Sequence, residues 1–230
     1  ILSKIETIGA NLISVSPGSS FGSGGVKSAG GSALTLTQED AEAIVEQVPH
    51  IEALSPTFTR SLQIVVGGEN TNSQVTGTLP AYQQIQNLEM ATGNFFTEYD
   101  HQRGAKVAVL GAEVSASLFG DANPVGQQIR MGDQIVRVIG VMEEKGAGFS
   151  SPDSAILIPL TAMQQMVAQP LTAQGGHIVS SILLIVDDEN NADGVVEGVT
   201  ALLRDRHRLG VNADDDFRVT SMQDISEMMT

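Results

Sequence analysis

The chain contains four histidines, His50, His101, His177 and His207, the side chains best suited to acid–base or metal chemistry. They lie far apart and share no motif. A Ser/His/Asp centre needs a nucleophile on a strained turn, and the chain has no Gly-x-Ser-x-Gly. A zinc site needs clustered histidines, cysteines or carboxylates, and no such spacing is present. We therefore predict that the chain is not an enzyme and has no catalytic, cofactor-binding or metal-binding residue.

Two acidic runs, Asp214-Asp215-Asp216 and Asp187-Asp188-Glu189, could supply oxygen ligands to calcium. Calcium takes about six to eight oxygens placed around a turn. Neither run has the EF-hand pattern of alternating ligands, a central glycine and a final glutamate. We expect solvated turns at both positions, and the sequence leaves calcium binding open.

Residues 18–33 are rich in glycine and serine, the composition of phosphate-binding loops and of flexible surface loops alike. The segment lacks the Gly-Lys-Ser/Thr ending of a P-loop, and no strong strand-to-helix junction frames it. We therefore predict a surface loop that binds no nucleotide.

Composition narrows the class of partner. The chain has 230 residues and a formal net charge of -15, which disfavours binding to nucleic acid or to an anionic membrane face. It has no cysteine, so disulfides and thiolate catalysis are excluded while the redox compartment stays open. The low aromatic content of 4%, with no tryptophan, argues against sugar chemistry.

The sequence contains no run of about 20 mostly apolar residues, which a membrane-spanning helix needs. The longest uncharged stretch, Ser154–Val186, is interrupted by prolines, glutamines and Gly175-Gly176. Apolar residues in 1–8 and in 225–229 nevertheless keep a helical spacing. We interpret the chain as a piece of a longer protein, with helix tails at both ends.

Hydrophobic periodicity predicts an outer set of elements at the two ends of the chain. A strand, a helix and a strand come first, and a strand, a helix and a strand come last; they are Asn11–Ser16, Gln38–Val48, Phe58–Val66, Ile182–Val186, Val195–His207 and Phe217–Thr220. This order is typical of the split βαβ, ferredoxin-like fold.

The middle of the chain, Glu69–His177, carries its own strands and one short helix that ends at Phe119. The strands are Val75–Leu79, Val107–Leu110, Gln128–Met131, Ile135–Met142 and Ala155–Leu160. We predict an α+β fold in which 69–177 is inserted into an outer domain formed by 1–68 and 178–230.

Several stretches resemble, in the same order, the extracytoplasmic core domain of MacB-type ABC transporter permeases (the MacB/FtsX-like family). The longest is Val107–Leu160; the shorter ones are Asn11–Gly18, Leu36–Asp40, Val75–Tyr82 and Gly93–Glu98. The family more often has arginine where Asn94 stands.

The resemblance implies a porter-like βαβ subdomain with an inserted, β-rich, sabre-like subdomain. It implies a non-catalytic, extracytoplasmic domain that transmits ATP-driven conformational change to an adaptor protein or to exported cargo. The ATP would be hydrolysed by a nucleotide-binding subunit or domain outside this chain, and a second permease subunit would be reached through membrane helices. The full-length protein would be integral to the membrane, with this domain on its periplasmic or extracellular side.

An alternative from another class is a freestanding extracellular module that binds a small ligand or a peptide. Apolar segments of about 20 residues flanking this region in the full-length protein would favour the permease. A signal peptide with no later membrane span would favour the module.

We expect partner contacts on two loops of the insert, at the end away from both termini. One loop contains Lys145, Gly146 and Phe149, which combine flexible glycines with an aromatic outside any strand pattern. The other contains Gly67 and Asn70. The alternative for the first loop is an ordinary hairpin connection with Phe149 in the core.

Overall fold

The structure, a computed structural model, describes residues 11–18, 34–146 and 152–221. The strands in these residues are β1 (Leu12–Pro17), β2 (Ile51–Val66), β3 (Glu69–Thr78), β4 (Met90–Gly93), β5 (Val107–Leu110), β6 (Gln128–Met131), β7 (Gln134–Met142), β8 (Ala155–Pro159), β9 (Ser181–Val186) and β10 (Phe217–Ser221). The α-helices are α1 (Gln38–Gln47), α2 (Tyr82–Ile85), α3 (Glu98–Gln102), α4 (Ala112–Phe119), α5 (Leu160–Met166) and α6 (Ala192–Arg206). Short 3-10 turns lie at Pro152–Ser154 and Glu189–Asn191.

Helix α1 begins where the sequence predicts, and its first turn explains why. The Thr37 hydroxyl accepts from the Asp40 backbone N–H at 3.1 Å, and the Asp40 carboxylate accepts from the Thr37 backbone N–H at 3.0 Å. This reciprocal capping box satisfies two backbone donors that a helix start leaves unpaired. Ala41 and Ile44 of this helix are buried.

The chain forms two compact units. Unit 1 consists of residues 1–56 together with 169–230, and unit 2 consists of Thr57–Ala168. Each unit has a hydrophobic core of its own.

Unit 1 contains a sheet in the order β10-β1-β9-β2, in which residues 51–56 of β2 belong to this unit. Strand β1 lies inside the sheet and pairs antiparallel with β10 on one side and β9 on the other. Helices α1 and α6 contribute Ile44, Val195, Val199 and Leu203 to the core of this unit. The β1–β10 register places Ile13 opposite Ser221, so the two ends of the described chain lie side by side.

Unit 2 is built on a closed ring of strands. Strand β2 pairs with β3, β3 with β8, β8 with β5, β5 with β7, β7 with β6, and β6 again with β2. Closure of this kind removes the exposed edges that an open sheet would leave. Alternate residues such as Ile64, Val75, Ile129, Val136 and Ile158 belong to one buried cluster.

The helices of unit 2 contribute to the same cluster, through Val114 and Leu118 of α4 and Leu160 and Met163 of α5. Gly111 caps the start of α4 and donates its N–H to the Ala155 carbonyl at 2.8 Å. A Cβ on Gly111 would overlap the carbonyl oxygens of Pro152 and Asp153. Only glycine fits this close backbone approach.

The units divide at Thr57 and Ala168, earlier in the chain than the predicted Glu69 and His177. The physical reason is that β2 runs without interruption from Ile51 to Val66, and Gly67-Gly68 is the turn of the β2–β3 hairpin within unit 2. The sequence also predicts one helix for the middle of the chain, whereas the described residues of unit 2 form four short α-helices.

The predicted helix tails, in 1–8 and 225–229, lie outside the described residues. Among the residues that the structure describes, no helix is both long enough and apolar enough to cross a membrane.

Candidate partner-contact surfaces

The β2–β3 hairpin displays Gly67 and Asn70 as exposed residues of unit 2. Val66 pairs with Glu69, which leaves Gly67-Gly68 as a two-residue turn. Gly67 has a φ of 61°, and Gly68 is not in the positive-φ region. A two-residue turn with positive φ at its first position is the II′ type, which matches the twist of paired strands. Asn70 is not part of the turn, since it pairs with Val65.

The loop that begins at Lys145 is held by one carboxylate. Asp153 accepts from the Lys145 backbone N–H at 3.0 Å through Oδ1 and from the Gly146 N–H at 2.9 Å through Oδ2. The Asp153 side chain is buried, and Gly146 has a φ of 82°. Two charge-assisted bonds to successive amides therefore fix the start of this loop. Phe149 lies outside the described residues.

The Lys145 side chain is engaged rather than projecting freely. Its Nζ donates to the Gln86 carbonyl at 2.6 Å, at the end of α2. Partial burial lowers the pKa of Lys145, with Glu89 and Asp153 opposing that shift. The Lys145 ammonium therefore ties the loop to the end of α2. We expect a partner to contact the loop backbone and the residues around Lys145 rather than this ammonium.

A charged cluster in unit 1 joins α1, α6 and the start of β10. The His207 Nε2 lies 3.0 Å from Asp40 Oδ2, and its Nδ1 lies 2.7 Å from Asp216 Oδ1. The Arg206 Nε donates to Asp40 Oδ1 at 2.7 Å. The Asp40 side chain is only 3% exposed and that of His207 is 10% exposed. The Phe217 ring stacks edge-on against the imidazole, with ring centroids 5.7 Å apart.

The protonation states in this cluster follow from its geometry. Burial alone would disfavour the imidazolium, but hydrogen bonds to Asp40 and Asp216 outweigh it and raise the pKa of His207. Burial also disfavours the Asp40 carboxylate, and hydrogen bonds from His207 and Arg206 outweigh it and lower the pKa of Asp40. Both shifts favour a fully charged cluster near neutral pH.

We predict that the stability of the chain falls as pH rises past neutrality. A histidine whose folded pKa is raised adds stability below its unfolded pKa, about 6.5, and loses it as pH rises through the folded value. Asp40 acts oppositely: its contribution is present above the ordinary value of 3.8 and is lost as pH falls through the lowered value. Urea unfolding from about pH 5 to about pH 9 should show the alkaline loss, and His207→Gln should abolish it. An unchanged alkaline limb in that variant would contradict the assignment.

Carboxylates in both of the acidic runs that the sequence offered as calcium ligands are engaged with nitrogen donors. Asp215 pairs with Arg204, and Asp216 pairs with His207. Asp187 accepts from Asn191 Nδ2 at 2.9 Å and lies 3.0 Å from His50 Nδ1. In the described part of the chain, no group of three or more histidines or carboxylates is placed to hold a metal ion.

Sequence reasoning missed the cluster around His207. Asp40 lies in α1 and His207 directly follows α6, and no spacing links positions so far apart. The available signal was Asp40 itself, because a carboxylate in the first turn of a predicted helix is a capping candidate. Its second role, as acceptor for His207 and Arg206, depends on the packing of α1 against α6.

The family described as the MacB-like periplasmic core domain matches residues 1–202. This match covers both units of the chain except the end of unit 1. The chain belongs to this family. It is therefore the periplasmic core domain of a MacB-like permease, and it is extracytoplasmic by membership of that family.

Individual relatives agree with the family. The macrolide export ATP-binding/permease protein MacB of Bdellovibrio bacteriovorus is 33% identical over 229 residues, covering 98% of this chain and 34% of the relative. The protein of the same name from Rhodospirillum rubrum is 34% identical over 233 residues, covering 100% and 33% respectively. The chain thus spans about a third of the length of these relatives.

Solved structures show the same fold at lower identity. The periplasmic region of MacB from Actinobacillus actinomycetemcomitans has a TM-score of 0.75 and 23% identity, covering 99% of this chain and 96% of that one. The extracellular domain of the noncanonic ABC-type transporter YknZ from Gram-positive bacteria has a TM-score of 0.70 and 18% identity, covering 92% and 100% respectively. The MacB-like periplasmic core is therefore a mixed α+β fold that this chain shares.

Proposed function

We propose that this MacB-like core domain transmits ATP-driven conformational change from a membrane permease to an adaptor protein or to exported cargo. In this role the domain does no chemistry itself. A nucleotide-binding subunit or domain outside this chain hydrolyses ATP. Membrane helices outside this chain carry the movement to this domain and to a second permease subunit.

The observation that supports this proposal is the pairing of β1 with β10. Ile13 lies opposite Ser221, and Ser14 opposite Thr220, so the first and last described strands are hydrogen-bonded neighbours. If both chain ends continue into membrane helices, their movement enters unit 1 through two adjacent strands. Strand β1 is also paired with β9, so the sheet moves as one body when its two anchors move together.

We interpret unit 1 as the porter-like subdomain with a ferredoxin-like split βαβ fold. Its strand order, β10-β1-β9-β2, alternates strands from the two halves of the chain, and α1 and α6 pack on the shared core. We interpret unit 2, with its ring of strands, as the sabre-like insert, with boundaries at Thr57 and Ala168 in place of 69 and 177. The β2–β3 hairpin and the Lys145 loop are its proposed contact points, because loops on a rigid scaffold are natural binding sites.

We predict that flexible linkers at the two anchors uncouple transport from ATP hydrolysis. Two Gly/Ser linkers of about six residues each are inserted in the full-length transporter, one before Leu12 and one after Ser221. They make the connections from the membrane to β1 and to β10 flexible. We expect transport to fall at least about tenfold, while ATP hydrolysis continues. Transport assays and ATPase assays on the same preparation measure both quantities.

The matched control is the same linker inserted after Val211, an exposed position between α6 and β10. That insertion lies within unit 1 and leaves both anchors unchanged, so coupling should persist. Normal transport with both anchor linkers in place would contradict the proposal.

A further inference from the structure

Strand β3 extends beyond its neighbour on one side of the ring. Strand β8 begins at Ala155, which pairs with Gln74, and the ladder continues from there to Thr78. Residues 69–73 of β3 are paired with β2 but with no described residue on the β8 side. Among the residues that the structure describes, β3 therefore has an open strand edge at Asn70–Ser73.

The direction of the backbone groups along this edge follows from a single hydrogen bond. Gly132 donates its N–H to the Gln63 carbonyl at 2.9 Å, so the backbone groups of Gln63 point away from β3. Gln63 is the register partner of Asn72, and this pair is consequently not hydrogen-bonded. The N–H and C=O of Asn72 therefore point away from β2, and those of Asn70, two residues earlier, do the same.

The open edge borders a groove of about 300 Å³ within unit 2. The opposite wall comes from α4, through Glu113 and Ser117, and from Ser154 ahead of β8. The lining also includes side chains of β3 such as Thr71 and Ser73. None of these polar side chains has a hydrogen-bond partner among the described residues. Glu113 is the one charged residue in this lining.

We propose that this groove binds an extended peptide segment of a partner protein, which adds as a strand to β3 and places a lysine or arginine against Glu113. Outward donors and acceptors on Asn70 and Asn72 repeat every second residue, which is the pattern that strand addition uses. The hydroxyl and carboxylate side chains on the facing wall suit a polar, basic peptide. A phosphate-bearing ligand is disfavoured by Glu113, and none of the described residues that line the groove has an aromatic ring to stack on a ligand.

This peptide site rests on the proposed function, in which the β2–β3 hairpin is a contact point for a partner. It adds the kind of partner segment that the hairpin would bind. Its occupant is a segment of another protein, such as an adaptor, rather than a small molecule or a second copy of this chain. Binding of a second copy is an outcome that the following experiment recognises.

The test is a selection of unstructured displayed peptides on the intact chain, followed by affinity measurements on synthetic copies. We expect the selected peptides to carry a basic residue. N-methylation of peptide residues whose N–H faces β3 should abolish binding, whereas the same change one residue along should leave it. The protein is unaltered in this comparison, so misfolding cannot produce the result.

Protein variants provide the second arm. Asn72→Pro removes an outward N–H without breaking the β2 ladder and should weaken binding at least about tenfold. Glu113→Gln should weaken binding of the basic peptides about fivefold, as expected for one charge-assisted contact. Asp121→Asn, an exposed carboxylate of unit 2 outside the groove, is the matched control and should change nothing.

Three outcomes would overturn the inference: no peptide that distinguishes wild type from Asn72→Pro, equal loss with both N-methylation registers, or binding insensitive to Glu113→Gln. Concentration-dependent self-association that Asn72→Pro abolishes would assign the edge to a second copy instead. Absence of peptide binding would leave the anchor-linker prediction unaffected. Normal transport with the anchor linkers, together with intact peptide binding, would overturn the proposed function alone.

Discussion

Replacing Asp40 with alanine is expected to destabilise unit 1 by about 3–5 kcal/mol, the cost of removing one partner from a buried ion pair. The substitution leaves the Arg206 guanidinium and the Nε2 of His207 without their carboxylate. It also removes half of the capping box at Thr37.

Amide hydrogen exchange measures this effect by position. In Asp40→Ala, protection should fall in β1 and β9 of unit 1, at Ile13 and Leu184, while β5 of unit 2 keeps its protection at Val109. Asp187→Asn is the matched control, because Asp187 also pairs with a histidine but is exposed. That control should leave protection unchanged, since exposed pairs contribute little. Equal effects of the two substitutions would contradict a special role for the buried cluster.

Replacing Gly111 with alanine is expected to destabilise unit 2 by about 3 kcal/mol, at the upper end of what overpacking costs. The added methyl overlaps the carbonyl oxygens of Pro152 and Asp153, which are backbone atoms and have no rotamer to relax into. Moving that segment also displaces the Asp153 carboxylate that holds Lys145 and Gly146. The loss of stability should therefore accompany a loosening of the proposed contact loop.

Tyrosine fluorescence reports on this unit selectively, because both tyrosines of the chain, Tyr82 and Tyr99, lie in Thr57–Ala168. The urea midpoint followed by tyrosine should fall in Gly111→Ala. Gly68→Ala is the control in the same unit, since a Cβ there meets nothing within 4 Å and the φ is not positive. An unchanged tyrosine midpoint in Gly111→Ala would show that the turn at Pro152–Ser154 yields easily, against the packing described above.

Local patterns predicted much of the secondary structure. The predicted helix Gln38–Val48 is observed as α1, and the predicted strand Ile182–Val186 is observed as β9. The predicted loop that contains Gly67 and Asn70 is observed as the Gly67-Gly68 turn and the start of β3. These features depend on residues within a few positions of one another, so sequence alone contains the information. The resemblance to the MacB-type family, carried by ordered short stretches, is confirmed by the family match.

Features that join distant positions required the tertiary structure. Strand β2 passes from unit 1 into unit 2 without a break, and no residue along it marks the boundary at Thr57. The ring closes through the β6–β2 pairing of Met131 with Ile64, which the alternating pattern of either strand leaves undetermined. Pairing partners are chosen by packing between strands far apart in sequence, and each strand's own pattern reports only which face is buried.

The candidate sites, which are the charged cluster and the open edge of β3, also combine local features with features that join distant positions. The sequence predicted a helix that begins at Gln38 and a loop that contains Gly67 and Asn70, because both properties are local. The contact between Asp40 and His207 exists only because α1 packs against α6. The open edge at Asn72 exists only because β8 begins at Ala155, opposite Gln74. Sequence therefore determined which residues are polar, apolar or suited to turns, and the fold decided which of them meet, since long-range packing energies select among locally equivalent pairings.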